Sequence, residues 1–76
     1  MLNANGKVVL ITGGSSGIGL ETARCLSQAG AHVFEMSRRD SERSGITHIR
    51  GDVTREPDCS AAVEAVIKES GGIDVL

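Results

Sequence analysis

The chain has 76 residues and a formal net charge of −2 at pH 7, with 39% hydrophobic and 24% charged residues. This composition is typical of a globular protein, and the charge argues against general nucleic-acid binding. A chain this short buries only about 60–65% of its unfolded surface, so its fold is marginal unless a partner supports it. Its cysteines, Cys25 and Cys59, lack zinc-ligand spacing, so no metal site is predicted. The longest apolar run, Val8 to Ile11, is too short for a membrane span.

A strand, a glycine-rich loop and a helix are predicted first. Lys7 to Ile11 is rich in β-branched residues without polar alternation, which is typical of a strand in a parallel sheet. The loop Thr12-Gly-Gly-Ser-Ser-Gly-Ile-Gly19 follows at once. From Ile18 to Ala29 apolar residues recur at helical spacing, and Gly30 stands where a left-handed helix terminator belongs. Cys25 lies on the apolar face of this helix and is expected to be buried.

Two more strands and a second helix follow along the chain. Ala31 to Met36 and Ile46 to Arg50 are predicted strands. Thr54 is the predicted N-cap of a helix that includes Asp58 to Ser70. Ile73 to Leu76 is expected to begin a fourth strand. This order predicts an α/β fold, a Rossmann-like doubly wound parallel sheet that is incomplete, with about four strands and two main helices.

The glycine loop predicts a phosphate site. The N–H groups at a helix start are unpaired, the helix dipole favours an anion there, and glycine lets phosphate approach the backbone. A P-loop is excluded, because Leu20-Glu21 stands where that motif requires Lys-Ser/Thr. The common G-x-G-x-x-G fingerprint is absent as well.

This loop resembles that of the short-chain dehydrogenase/reductase family, as do Asp52-Val53 after the third strand and the ending Gly72-Ile-Asp-Val-Leu76. The resemblance runs from Lys7 to Leu76. It implies that Asp52 accepts a hydrogen bond from the adenine amino group, beside the Val53 backbone. The alternative for Asp52 is a structural carboxylate that accepts local N–H groups. The resemblance also implies that the loop binds the cofactor, through Thr12, Gly13, Ser15, Ser16, Gly17, Ile18 and Gly19.

The choice between NADP and NAD depends on the end of the second strand. In the family an acidic residue there accepts the ribose hydroxyls of NAD, whereas a basic residue meets the 2′-phosphate of NADP. That position falls on Ser37, followed by Arg38 and Arg39. Arginine suits a phosphate because it forms paired, charge-assisted hydrogen bonds. NADP is therefore favoured, with NAD as the alternative if the strand register slips by two residues and Glu35 approaches the ribose.

The family transfers hydride with a Tyr-x-x-x-Lys pair, a Ser and an Asn, all expected C-terminal to residue 76. The sequence contains no tyrosine, so no catalytic residue is assigned. The resemblance implies an NADP-dependent oxidoreductase represented by its N-terminal cofactor-binding fragment. Residues 1–76 would then be one partial domain, truncated before the catalytic segment. The alternatives are a stand-alone nucleotide-binding module and a non-functional truncated remnant.

The expected partner is a dinucleotide cofactor. Binding to nucleic acid or to a membrane is not expected. Unpaired thiols are consistent with a reducing compartment and a cytoplasmic location. The edge of the strand expected from Ile73 to Leu76 would carry unpaired N–H and C=O groups, so self-association through this edge is possible.

Overall fold

Three parallel strands in the order β1-β2-β3 form the sheet of this protein. The computed structural model describes residues 4–13, 17–38 and 45–74 of the chain. The elements in chain order are β1 (Val8–Thr12), α1 (Gly17–Gln28), β2 (His32–Ser37), β3 (Ile46–Arg50) and α2 (Glu56–Ser70). Each element begins and ends within two residues of its predicted position. The α/β class and the parallel sheet are confirmed.

The two helices cover opposite faces of the sheet. Successive strand residues point to opposite faces, and each face has its own cluster of buried apolar side chains. The cluster on the α1 face consists of Ala4, Val9, Ala23, Ala31 and Val33. The cluster on the α2 face consists of Leu10, Phe34, Met36, Ala62 and Val66. Burial on both faces explains why the first two strands show no alternation of polar and apolar residues.

The side of α1 that meets the sheet is only partly the predicted one: Leu26 and Ala29 pack against the sheet as expected, but two other residues of the predicted face do not. Cys25 is exposed and Ile18 is 87% exposed, whereas Ala23 is fully buried. Ala23 packs with Val9 and Val33, because a small side chain allows the helix to approach the sheet closely. The expected burial of Cys25 is therefore wrong: periodicity counts apolar residues but does not weigh their size.

The helix ends are partly as predicted. Gly30 (φ +101°) and Gly71 (φ +83°) have the left-handed backbone expected of helix terminators. The Gly71 N–H donates to the Ile67 carbonyl at 2.7 Å. At the start of α2, however, Arg55 is the N-cap residue, and its side chain makes no capping hydrogen bond. The prediction of Thr54 as the N-cap is wrong, because its hydroxyl donates to a neighbouring carboxylate instead.

The segment after α2 returns to the free edge of β1. The Asp74 N–H donates to the Val8 carbonyl at 2.9 Å, and the Asp74 Oδ2 accepts from the Val8 N–H at 2.8 Å. Ile73 packs against the cluster on the α2 face. Neither residue belongs to a strand, so the described part of the chain has three strands rather than about four. Residues 75–76, which complete the predicted fourth strand, lie outside the described residues.

In the part of the chain that the structure describes, neither helix is both long enough and apolar enough to cross a membrane.

Candidate dinucleotide-binding site

The carboxyl ends of the three strands meet at one edge of the sheet, where hydrogen bonds join the segments that leave them. The Gly13 N–H donates to the Met36 carbonyl at 3.3 Å, and the Gly51 N–H donates to the Ser37 carbonyl at 2.9 Å. In open α/β sheets ligands bind outside this edge. The fold therefore brings together the loop after β1, the Ser37-Arg38 pair and the segment that contains Asp52.

A hollow of about 280 Å³ opens between these segments; we call it the strand-end hollow. Ligand pockets usually have a volume of about 300–1,000 Å³, so this hollow suits one portion of a dinucleotide rather than the whole. Its lining includes five residues selected from the sequence, namely Gly13, Ser37, Arg38, Asp52 and Val53. Sequence reasoning missed the site role of the other three, Met36, Gly51 and Thr54.

Asp52 is held by a local turn. Its Oδ1 accepts the Thr54 N–H at 2.9 Å and the Thr54 hydroxyl at 2.6 Å. These two bonds, first the hydroxyl and then the N–H, hold the pKa of the Asp52 carboxyl below its usual range, and the charges of Arg38 and Arg55 lower it further. The ionised carboxylate is only an acceptor. Oδ1 thus has the structural role that was the alternative, while Oδ2 has no partner among the described residues.

A second carboxylate, Asp58, supports the same turn from α2. Its Oδ2 accepts the Asp52 N–H at 2.9 Å. Asp58 also lines an adjoining hollow of about 250 Å³ with Arg38, Arg50 and Arg55. The sequence assigned Asp58 only to the second predicted helix, and its contact with Asp52 depends on how α2 is placed against the loop.

The glycine loop is described at its two ends. Gly13 (φ +70°) and Gly17 (φ +59°) have the left-handed backbone that favours glycine. Gly17 and Ile18 line a groove along α1 rather than the strand-end hollow. Thr12 is exposed at the end of β1, and Gly19 is half-buried in the first turn of α1. Three further residues predicted to bind cofactor lie outside the described residues: Ser15, Ser16 and Arg39.

Glu35, the residue on which the NAD alternative depended, lies away from the strand-end hollow. Its side chain is 3% exposed, and its Oε1 lies 2.7 Å from Nδ1 of His48. The two residues are directly paired across β2 and β3, on the sheet face that α1 covers. No register shift brings Glu35 to the end of β2, where Ser37 stands. The interpretation of Glu35 as the ribose ligand is therefore wrong.

Comparison with known proteins agrees with this geometry. The sequence model of the family described as short chain dehydrogenase matches residues 7–76. The chain belongs to the short-chain dehydrogenase/reductase family. This confirms the resemblance found in the glycine loop and in Asp52-Val53.

Individual family members are similar over most of this chain. A 3-ketodihydrosphingosine reductase from Bacteroides thetaiotaomicron is 44% identical over 92% of the chain, which spans 26% of that protein. The ligand-free aldohexose dehydrogenase of Thermoplasma acidophilum has a TM-score of 0.89 and 33% identity, covering 95% of this chain and 29% of that one. An NADH-dependent reductase, A1-R', complexed with NAD, has a TM-score of 0.85 and 30% identity, covering 95% of this chain and 35% of that one.

The chain thus spans between a quarter and about a third of the length of these relatives. The similarity covers the elements that form the candidate site. Family membership makes the protein part of an oxidoreductase family that binds NAD(P).

Proposed function

We propose that this chain is the N-terminal cofactor-binding part of an NADP(H)-dependent short-chain oxidoreductase, with residues 1–76 forming one partial domain. The observation that carries the proposal is the strand-end hollow, in which Ser37 and Arg38 at the end of β2 face the Asp52-Val53 segment after β3. Hydride transfer would be the chemistry that the bound nicotinamide supplies in a whole family member.

The proposed contacts divide the cofactor among three segments. Asp52 would accept the adenine amino group through its Oδ2, beside the Val53 backbone. Ser37 and Arg38 would meet the 2′-phosphate, with Arg39 as a further cation. The pyrophosphate would lie against the loop before α1, where backbone N–H groups and the helix dipole favour an anion; the residues proposed for this part are Thr12, Gly13, Ser15, Ser16, Gly17, Ile18 and Gly19.

Two observations bear on the preference for NADP. The only acidic residue of β2 is Glu35, which is hydrogen-bonded to His48. The strand therefore offers no carboxylate to the ribose hydroxyls. The guanidinium of Arg38 lies beside the strand-end hollow and close enough to Asp52 to lower the pKa of its carboxyl. Since one similar structure is complexed with NAD, the preference needs a direct test.

Arg38→Ala is expected to weaken NADPH binding by about 1.5–3 kcal/mol, the usual range for hydrogen bonds to charged groups. This corresponds to about a 10- to 150-fold loss in affinity. NADH binding should change little, because NADH lacks the 2′-phosphate. Calorimetric titration of both cofactors measures the two losses.

Arg24→Ala provides the matched control, since Arg24 is an exposed arginine on α1 that pairs with Glu21 at 3.5 Å. It removes the same charge away from the strand-end hollow and should leave both affinities unchanged. Equal losses for NADPH and NADH in Arg38→Ala would contradict the proposed 2′-phosphate contact.

For the chain as given, we propose cofactor binding without turnover. The family's proton donor is the tyrosine of its Tyr-x-x-x-Lys pair, and this sequence has no tyrosine. A stand-alone nucleotide-binding module is the second candidate, which the volume of the strand-end hollow, about 280 Å³, also suits. A cytoplasmic location is part of the proposal and is supported by two cysteines that form no disulfide.

We also propose that the isolated chain self-associates through the exposed edge of the C-terminal strand predicted from Ile73 to Leu76. Among the described residues, the segment that returns to β1 bonds to that strand at Val8, through Asp74, and an open strand edge is a template for strand pairing. Light scattering at ~100 µM, within the range where exposed edges promote aggregation, should give a mass above 7.9 kDa. A sharp monomer peak with cooperative unfolding would contradict this proposal.

A further inference from the structure

The short loop between β3 and α2 has an ordered set of backbone hydrogen bonds. The Gly51 N–H donates to the Ser37 carbonyl, and the Arg55 N–H donates to the Asp52 carbonyl. The Thr54 N–H donates to Asp52 Oδ1. These three bonds join the loop to β2 or to itself, so none of them fixes the loop against α2.

The Asp52 N–H is different, because its acceptor is a side chain on α2. The distance from this nitrogen to Asp58 Oδ2 is 2.9 Å, and the bond is partly buried. The Asp58 stem also lies close to the loop: a Cβ added to Gly51 would be 3.5 Å from the Asp58 Cβ and 3.0 Å from the Met36 sulfur. The carboxylate is thus held close against the backbone that it bonds.

Asp58 does not line the strand-end hollow, whereas Asp52 does. Asp58 lines the adjoining hollow with Arg38, but its one hydrogen bond to the lining of the strand-end hollow goes to the Asp52 N–H. Through this bond it can influence a ligand in the strand-end hollow without touching it. The Asp52 carboxylate already uses Oδ1 in the turn with Thr54, so the direction of its Oδ2 depends on where the backbone is held. Hydrogen bonds at three groups of Asp52, namely its Oδ1, its carbonyl and its N–H, leave little freedom to this residue.

We propose that Asp58 is a positioning residue for base recognition: by accepting the Asp52 N–H, it holds Asp52 so that Oδ2 can accept a hydrogen bond from the exocyclic amino group of a purine. This inference rests on the proposed function, because it takes adenine as the occupant of the strand-end hollow. It goes further by assigning selectivity for an amino-bearing base to a residue that does not contact the base.

A simpler role for Asp58 would be electrostatic. Asp58 and Glu56 are the acidic residues in the first turn of α2, where negative charge interacts favourably with the helix dipole. Asparagine at position 58 separates the two roles, since its Oδ1 can still accept the Asp52 N–H although the charge is gone.

The experiment measures the affinities of NADPH and of its hypoxanthine analogue, which has a carbonyl where adenine has the amino group. The unaltered protein is expected to prefer NADPH by about 10-fold or more, as one hydrogen bond to a charged group allows. Asp58→Ala should reduce this preference to less than about 3-fold, and Asp58→Asn should restore it. Glu56→Ala, which removes a first-turn charge without touching the loop, should leave the preference unchanged.

Two results would overturn the inference, and Asp52→Ala then shows whether the proposed adenine contact fails with it. In the first, Asp58→Ala weakens both ligands equally and keeps the preference, which would make the residue merely structural. Asp58→Asn could instead match Asp58→Ala, which would assign the effect to charge. If Asp52→Ala abolishes the preference while Asp58→Ala retains it, the inference fails and the proposed adenine contact stands. If Asp52→Ala also retains it, the adenine contact of the proposed function fails as well.

Discussion

Replacing His48 by alanine is expected to lower the free energy of unfolding by about 1–3 kcal/mol, the usual cost of leaving a buried polar group without its hydrogen-bond partner. His48 Nδ1 lies 2.7 Å from Glu35 Oε1, and the two side chains are 15% and 3% exposed. Without His48, the Glu35 carboxylate would stay among apolar side chains with neither oxygen bonded to a partner. Urea denaturation followed by far-ultraviolet circular dichroism measures the change.

A double variant, Glu35→Leu with His48→Leu, is expected to have a free energy of unfolding no more than about 1 kcal/mol below that of the original protein, or above it. Apolar residues of similar volume often replace a buried pair without loss of stability. The intact pair already leaves Glu35 Oε2 and His48 Nε2 buried without partners, which costs desolvation energy. If the double variant is as unstable as His48→Ala, the pair is more stabilising than this account allows.

The exposed pair of Arg24 and Glu21 provides a control for these variants. Their side chains are 52% and 71% exposed, and exposed ion pairs contribute about 0–1 kcal/mol. Arg24→Ala should therefore leave the urea midpoint almost unchanged. A large loss there would indicate that charge, rather than burial, determines the effect at His48.

Phe34→Ala is expected to destabilise the fold by about 3–5 kcal/mol, since it removes a large side chain from a closely packed core and leaves a cavity. Phe34 is 1% exposed and is among the largest fully buried side chains. It joins Leu10 and Met36 of the sheet to Ala62 and Val66 of α2. Thermal unfolding should show the loss as a lower midpoint, or as a missing transition in a fold that is already marginal.

Ile18→Ala is the matched control for Phe34→Ala. Ile18 is also a large apolar residue, but 87% of its surface is exposed. Its replacement should change the stability by less than about 0.5 kcal/mol, as is usual for surface substitutions. Comparable losses for the two variants would mean that the cluster on the α2 face is not the main source of stability.

The elements could be predicted from the sequence because their boundaries have local causes. Gly30 and Gly71 end the helices through their own backbone angles, and the apolar runs identify strands covered on both faces. The same locality explains the errors. Which side of α1 meets the sheet depends on the fit of Ala23, and this made Cys25 the wrong candidate for burial. Whether Thr54 caps α2 depends on competition from the Asp52 carboxylate, which the residue types alone do not settle.

In the candidate site too, the features with local causes could be predicted, whereas those that depend on packing could not. Gly13, Ser37 and Asp52 could be placed together from the sequence, because the carboxyl ends of parallel strands lie at one edge of the sheet. Asp58 was missed as a site residue because its bond to the Asp52 N–H requires the packed position of α2. The pairing of Glu35 with its neighbour on β3 follows from the strand register, which the spacing of residues along the chain does not specify.

The two hydrogen bonds between Val8 and Asp74 join residues separated by 66 positions. During synthesis at about 5–20 residues per second, the second of these residues follows the first by about 3–13 s. In that interval β1 can pair with β2, whose residues are made much earlier, but its other edge has no partner from the end of the described chain. Contacts between distant residues form late and slowly. The edge of β1 that faces Asp74 is therefore exposed to other nascent chains for longer than the edge that pairs with β2. A helper protein that binds extended apolar segments would therefore act on Val8–Thr12 before it acts on any later element.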